Sequence, residues 1–349
     1  MKKLTVLPVL FLCLSAALVL EADQKTLPSM PAAVSSNAVA SLKQGLELFS
    51  MMGVGPRKTW DDITNQVYIM HLASGKWSEG RPVPGVAGRL GAAAAGAKGL
   101  VILMGGYIVD SRESGMTVPD VNIYVPSDQR WYRGKDIPAP VSNAMVGVNH
   151  DRFVYLVGGR GIGGPVNDVQ LYDAEKDSWT AATPFPGTPV FGLAGGLADD
   201  AIVIIDGAKK STASTGPAYV PSDECWEGKI DRKDPARITW TKLPAHPGAA
   251  RFGIAAGGSD RDRKVFFSGG TATLHNYKGV GFEQQPADAS TVTFAYDVHG
   301  NRWETVSENT PDPRMDAGSI QDTPLGPVIL GGMARNQAVT ARVTLVPKR

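Results

Sequence analysis

The chain has 349 residues, of which 35 are basic and 34 acidic, with a formal net charge of +1 and 43% hydrophobic content. Charges that nearly cancel, with no long run of one sign, argue against nucleic acid and against an anionic membrane surface as partners. The 40 glycines and 25 prolines point to a turn-rich domain, and two cysteines (Cys13 and Cys225) leave no internal disulfide once a leader containing Cys13 is removed.

In chain order, residues 1–22 read as a signal peptide. Met1, Lys2 and Lys3 precede an apolar run over residues 4–20, and Ala22 and Asp23 suit cleavage. That run is interrupted by Pro8 and falls short of the roughly 20 residues a permanent span needs. The expected product is a single domain over residues 23–349, periplasmic or secreted, with no membrane contact after signal cleavage.

Six related units follow. Glycine marks stand at Gly53, Gly105-Gly106, Gly158-Gly159, Gly207, Gly269-Gly270 and Gly331-Gly332, and five units then reach a tryptophan: Trp77, Trp131, Trp179, Trp240 and Trp303. In three units a tyrosine (Tyr124, Tyr172, Tyr296) precedes the tryptophan by seven residues. Self-similarity near 50 residues marks four-stranded blades around an axis, so the predicted fold is all-β, a six-bladed β-propeller. Short apolar runs at 101–104, 153–157, 202–205, 265–267 and 328–330 read as second strands buried on both faces. Alternation at Val169, Leu171 and at Val292, Phe294 reads as third strands.

The sixth unit ends one strand short. Residues 27–31 (Leu-Pro-Ser-Met-Pro) match residues 243–247 (Leu-Pro-Ala-His-Pro), which follow Trp240. The N-terminal segment is therefore expected to supply the missing outer strand and close the last blade.

Candidate site residues fall on the loops. Arg89, Arg251 and Arg314 begin their units at equivalent places, with Asn37 and Asn143 at the matching positions of the first and third. Three guanidinium groups around one opening would hold a carboxylate, or else they pair with carboxylates of neighbouring blades. Asp316, two residues past Arg314, is either such a partner or a proton-transfer group. Trp60 and Asp61 in the first unit offer a stacking surface at the rim, or ordinary blade packing for Trp60. The path from glycine mark to tryptophan takes 20 residues in the third unit but 33 in the fourth and fifth. Loops of that length are usually functional or disordered. The fifth-unit insertion, residues 271–290, brings Asn276 and Tyr277, groups that hydrogen-bond and stack on sugars. The fourth-unit insertion, residues 209–216, is small and polar, as a mobile flap would be. The five histidines share no ligand spacing, so no metal and no cofactor is expected.

The run Gly158-Gly159, Val169-x-x-Tyr172-Asp173, Trp179 resembles the kelch repeat, over roughly residues 27–347. Length, leader, the 271–290 insertion and the segment Pro313-Arg314-Met315-Asp316 are similar to those of secreted bacterial six-bladed kelch proteins of the sialic-acid mutarotase (N-acetylneuraminate epimerase-like) type. The resemblance implies a cofactor-free isomerase that opens and recloses a sugar ring by acid/base help. The pattern departs at Ala208, where those proteins carry a glutamate, so Asp206, Glu283 or Asp316 would have to carry the proton. Copper-radical galactose oxidases share the propeller, but their cysteine-linked tyrosine has no counterpart here. The alternative is a non-catalytic propeller that binds glycan or a protein partner through the same loop face.

Overall fold

The computed structural model describes residues 27–85, 88–281 and 284–347. The leader at residues 1–22 and Glu283 lie outside the described residues.

Among the described residues there are five four-stranded antiparallel sheets, one three-stranded sheet and three two-stranded ribbons. The first blade is Ala38–Leu42, Glu47–Met51, Val67–His71 and Lys76–Glu79 in radial order. The sixth has Gln321–Thr323, Gly326–Leu330 and Val343–Leu345. Its fourth position is taken by the N-terminal segment, as expected. Leu27 bridges Val343, and the Met30 N–H donates to the Ala341 carbonyl at 2.7 Å. The ring is thus a six-bladed propeller closed by both ends of the described chain.

Hydrophobic alternation explains where the core lies. In the second strand of blade four, Ile202 and Ile204 pack with Tyr155, Val157 and Leu171 of blade three. The intervening Ala201, Val203 and Ile205 pack with Val265, Phe267 and Tyr296 of blade five. Because successive side chains of a strand point to opposite faces, each sheet feeds two interblade cores. Neighbouring blades share a buried cluster at every junction around the ring.

The repeated tryptophans staple the blades. Trp131, Trp179, Trp240 and Trp303 donate their indole N–H groups to the carbonyls of Arg81, Lys135, Thr183 and Pro244 on the preceding blade, at 2.8, 2.9, 3.1 and 2.9 Å. Trp77 does the same to Pro28, at 3.0 Å, so the N-terminal segment occupies the place of a blade's outgoing strand. Three tryptophans sit directly across from their tyrosines with ring centroids 4.8 to 5.1 Å apart. Such aromatic pairs stabilise beyond the area they bury.

The glycine pairs are required by backbone geometry. Gly105 and Gly106 have φ of 58° and 89°, and a Cβ at Gly105 would lie 2.4 Å from the Val141 carbonyl oxygen of the next inter-strand connection. Blades one and four put Met52 and Asp206 in the first of these left-handed positions. Cys225 opens the third strand of blade four and is buried.

Candidate functional site

The chain enters each blade through a residue in the left-handed region: Ser36, Gly91, Asn143, Gly192, Gly253 and Asp316, with φ between 51° and 63°. Their backbones link one blade to the next. The N–H of Asn143 donates to Gly91, of Gly192 to Asn143, of Asp316 to Gly253 and of Ser36 to Asp316, at 2.7 to 3.0 Å. All six line an axial cavity of about 140 Å³. Three of them carry polar side chains, Ser36, Asn143 and Asp316. The structure therefore brings three residues singled out in the sequence, Asn37, Asn143 and Asp316, to one cavity. Asn143 aligns with Gly91 rather than with Arg89.

The three arginines do not converge on this opening. Arg89 is 1% exposed and donates to the Gly105 and Asp120 carbonyls, both at 3.0 Å, and to Asn122 Oδ1 at 2.7 Å. Arg251 donates to the Gly269 carbonyl at 2.7 Å and lies over the Phe294 ring. Arg314 donates to the Gly331 carbonyl at 3.1 Å and pairs with Asp312. In each case the acceptor is the first glycine of the pair, whose left-handed turn leaves a buried carbonyl to be satisfied. Equivalent positions thus have equivalent roles, inside the blades. Burial lowers the Arg89 guanidinium to about 10, still charged at neutral pH.

Asp206 is also held inside the ring. Its carboxylate accepts the Arg251 backbone N–H at 2.9 Å and faces His246 Nε2 at 2.9 Å, with the imidazole stacked on Phe294. Asp61 is gripped by Thr59 and Arg57 on the rim, and the Thr59 hydroxyl chiefly holds its carboxyl below the usual range. Trp60 beside it is 44% exposed and stands outside the cavity. Asn276 is exposed and spends its side-chain oxygen on the Lys278 N–H at 2.9 Å.

The blade-five insertion covers the axial mouth. His275 and Gly281 bridge each other, as do Val280 and Pro286. Tyr277 packs with Tyr107 and Ile63 of blades two and one. Lys278 forms an ion pair with Glu113 of the blade-two hairpin formed by Tyr107–Val109 and Gly115–Thr117. Gln337 of blade six donates to the Ala287 carbonyl at 2.6 Å. In blade four, the ribbon of Ala208–Lys210 with Tyr219–Pro221 gives the base of residues 209–216 a regular hairpin.

Beneath this cover sit groups that sequence reasoning missed. His275 is buried at 5% exposure and its ring meets Phe252 edge-on. Its Nδ1 lies 2.9 Å from the Asn276 carbonyl and donates to it, while the buried Nε2 has no hydrogen-bond partner among the described residues. A Cβ on Gly253 would touch Asp316 Oδ1 at 3.2 Å and His275 Nε2 at 3.5 Å, so both atoms face the same small space over that glycine. Asp316 is half-buried at the cavity wall, and desolvation raises its pKa against the lowering influence of His275. Tyr107, raised by desolvation and further by Asp316, keeps its phenol neutral. The arrangement can offer a carboxyl whose pKa is raised and a buried imidazole nitrogen to one ligand.

No group of three or more histidine, cysteine, aspartate or glutamate residues suited to holding a metal ion occurs among the described residues. No helix among them is long and apolar enough to cross a membrane.

No protein-family model matches the chain. It is 27% identical over 165 residues to human Kelch repeat and BTB domain-containing protein 2, covering 46% of this chain and 22% of that protein. It is 30% identical over 125 residues to human Kelch-like protein 34, covering 34% of this chain and 19% of that protein. The matched stretches thus span about a fifth of the length of these curated relatives. The solved structure of YjhT superposes with a TM-score of 0.73 at 18% identity, covering 93% of this chain and 97% of that one. The fold is a six-bladed β-propeller, and the sequence relatives are kelch-repeat proteins.

Proposed function

We propose that the protein is an exported sugar-binding propeller that works at the covered axial mouth, interconverting the anomers of a sialic-acid-like sugar without a cofactor. What carries the reading is the pair over Gly253: a His275 Nε2 with no hydrogen-bond partner among the described residues, beside an Asp316 carboxyl whose pKa burial raises. Asp316 gives its proton to the ring oxygen as the bond from that oxygen to the anomeric carbon breaks. His275 Nε2 takes the proton of the anomeric hydroxyl as the carbonyl forms. Reclosure on the other face reverses both transfers, so atoms and protons balance. A cavity near 150 Å³ holds a benzene-sized ring, so the 140 Å³ here takes one edge of a pyranose and leaves the rest under the insertion.

Anomer-exchange NMR with N-acetylneuraminate tests this. Exchange faster than in buffer, lost in Asp316→Asn and in His275→Gln, supports it, and no acceleration by the wild-type protein overturns it. A second reading, a non-catalytic glycan- or protein-binding surface, draws on Trp60, Met116 and Ile162, exposed at 44%, 60% and 86% on the second-to-third-strand connections of three successive blades. Binding without faster exchange favours that reading.

A further inference from the structure

We infer that Arg160 is the charge-selecting residue of the axial mouth, anchoring an anionic group, most simply a carboxylate, on the ligand whose ring lies at Asp316 and His275. The inference rests on the reading of the site just given and adds to it the residue that sets the ligand's charge.

Arg160 sits beside the axial ring because of its backbone. Its N–H and carbonyl exchange hydrogen bonds with Ser142, at 2.8 and 3.1 Å, and Ser142 adjoins Asn143. It opens the ribbon of Arg160–Gly161 with Gly164–Pro165 on the covered face. The guanidinium lies 5.7 Å from the Phe191 ring centroid and 5.6 Å from that of Tyr219, and these two rings meet edge-on. Phe191 in turn meets Phe252, which meets His275. An aromatic ridge thus runs from the cation to the acid/base pair. Tyr107 is within electrostatic reach of both Arg160 and Asp316.

Its neighbours on this face show what is unusual. Arg57 faces Asp61 and Asp62, Arg112 faces Asp110, and Lys278 faces Glu113. Arg160 has no carboxylate within ion-pairing distance among the described residues and is held by ring faces instead. Cation–π contact fixes a guanidinium without neutralising it, leaving its planar edge of donors for a bidentate anion. The sequence expectation of an arginine-held carboxylate therefore finds its geometry at Arg160, while Arg89, Arg251 and Arg314 serve buried carbonyls.

The test is calorimetric titration of the mature protein with N-acetylneuraminate and with its methyl ester, which lacks the negative charge. Wild type is expected to favour the acid by about tenfold or more, Arg160→Gln to abolish that preference while still binding the ester, and Arg160→Lys to retain part of it. Equal binding of acid and ester by wild type, or a preference that survives in Arg160→Gln, overturns the inference and leaves the sugar reading standing. If neither sugar binds, the sugar reading fails, and glycolate decides the anchor by saturation-transfer NMR. Transfer in wild type that vanishes in Arg160→Gln supports it, and no transfer in wild type overturns it. Unchanged melting temperature across the variants establishes that folding is not the cause.

Discussion

The two mouths of the propeller axis are lined by the same six blades and differ in size and in whether their polar groups already have partners. The mouth formed by the turns between first and second strands is the larger, a cavity of about 970 Å³. Its charges are mutually engaged. Asp200 of blade four meets His150 of blade three at 3.0 Å and Arg232 at 2.6 Å. Asp199 meets His299 of blade five at 3.1 Å, and its N–H donates to Asp260 at 2.8 Å. Those contacts tie blade to blade. At the covered mouth, by contrast, His275 Nε2 and the Tyr277 hydroxyl are buried without partners among the described residues. Size would select the first mouth; unsatisfied donors and acceptors select the second, because a native fold rarely leaves them unless something else fills the need.

The contrast breaks most visibly if the arginines inside the blades are ligand groups after all. Arg89→Met strands the buried Gly105 carbonyl and Asn122 Oδ1, and the expected loss is about 3 kcal/mol of stability in chemical denaturation. Ligand binding at a temperature where the variant is folded should be unchanged. Asp316→Asn is the complementary case, with exchange slowed about a hundredfold, near 2.7 kcal/mol of barrier, and a melting temperature within about a degree of wild type. At the opposite mouth Asp200→Asn weakens a half-exposed network, costing about 1 kcal/mol or less, and should leave sugar affinity alone. A drop in affinity there would move the site to the larger cavity.

Legibility in the sequence divided along similar lines. The ring was readable because every blade needs the same solution. Left-handed turns demand glycine at Gly105-Gly106 and Gly158-Gly159, and each junction needs an indole such as Trp131 or Trp179. Closure by residues 27–31 was readable for the same reason, since Pro28 receives Trp77 as Pro244 receives Trp303. The arginines were recognised as equivalent but assigned to the axis. It is the left-handed residue two places on, as at Gly91, Gly253 and Asp316, that lines the axial cavity. His275 and Arg160 were missed because neither repeats. One lies in an insertion that has no counterpart in other blades, and the other owes its role to rings from blade four.

Glu227 limits how far an unsatisfied group can be read as a site. It is 4% exposed, its Oε1 has no partner among the described residues, and Lys229 approaches the carboxylate only to 3.8 Å. Yet it lines neither mouth, lying in the blade-four sheet within electrostatic reach of Tyr296 of blade five. Desolvation outweighs Lys229 and raises its pKa above the ordinary 4.5. A raised carboxyl stabilises the fold below its unfolded pKa, and that contribution is lost as pH climbs through the folded value. Glu227→Gln, permanently neutral, should therefore melt about 2 °C higher than wild type at pH 7 and converge with it near pH 4. A difference that stays constant with pH would mean that Glu227 does not titrate in the fold. A loss of sugar affinity in the same variant would mean that an orphaned polar atom marks ligand contact even between blades, and the distinction between the two mouths would then have to rest on cavity geometry alone.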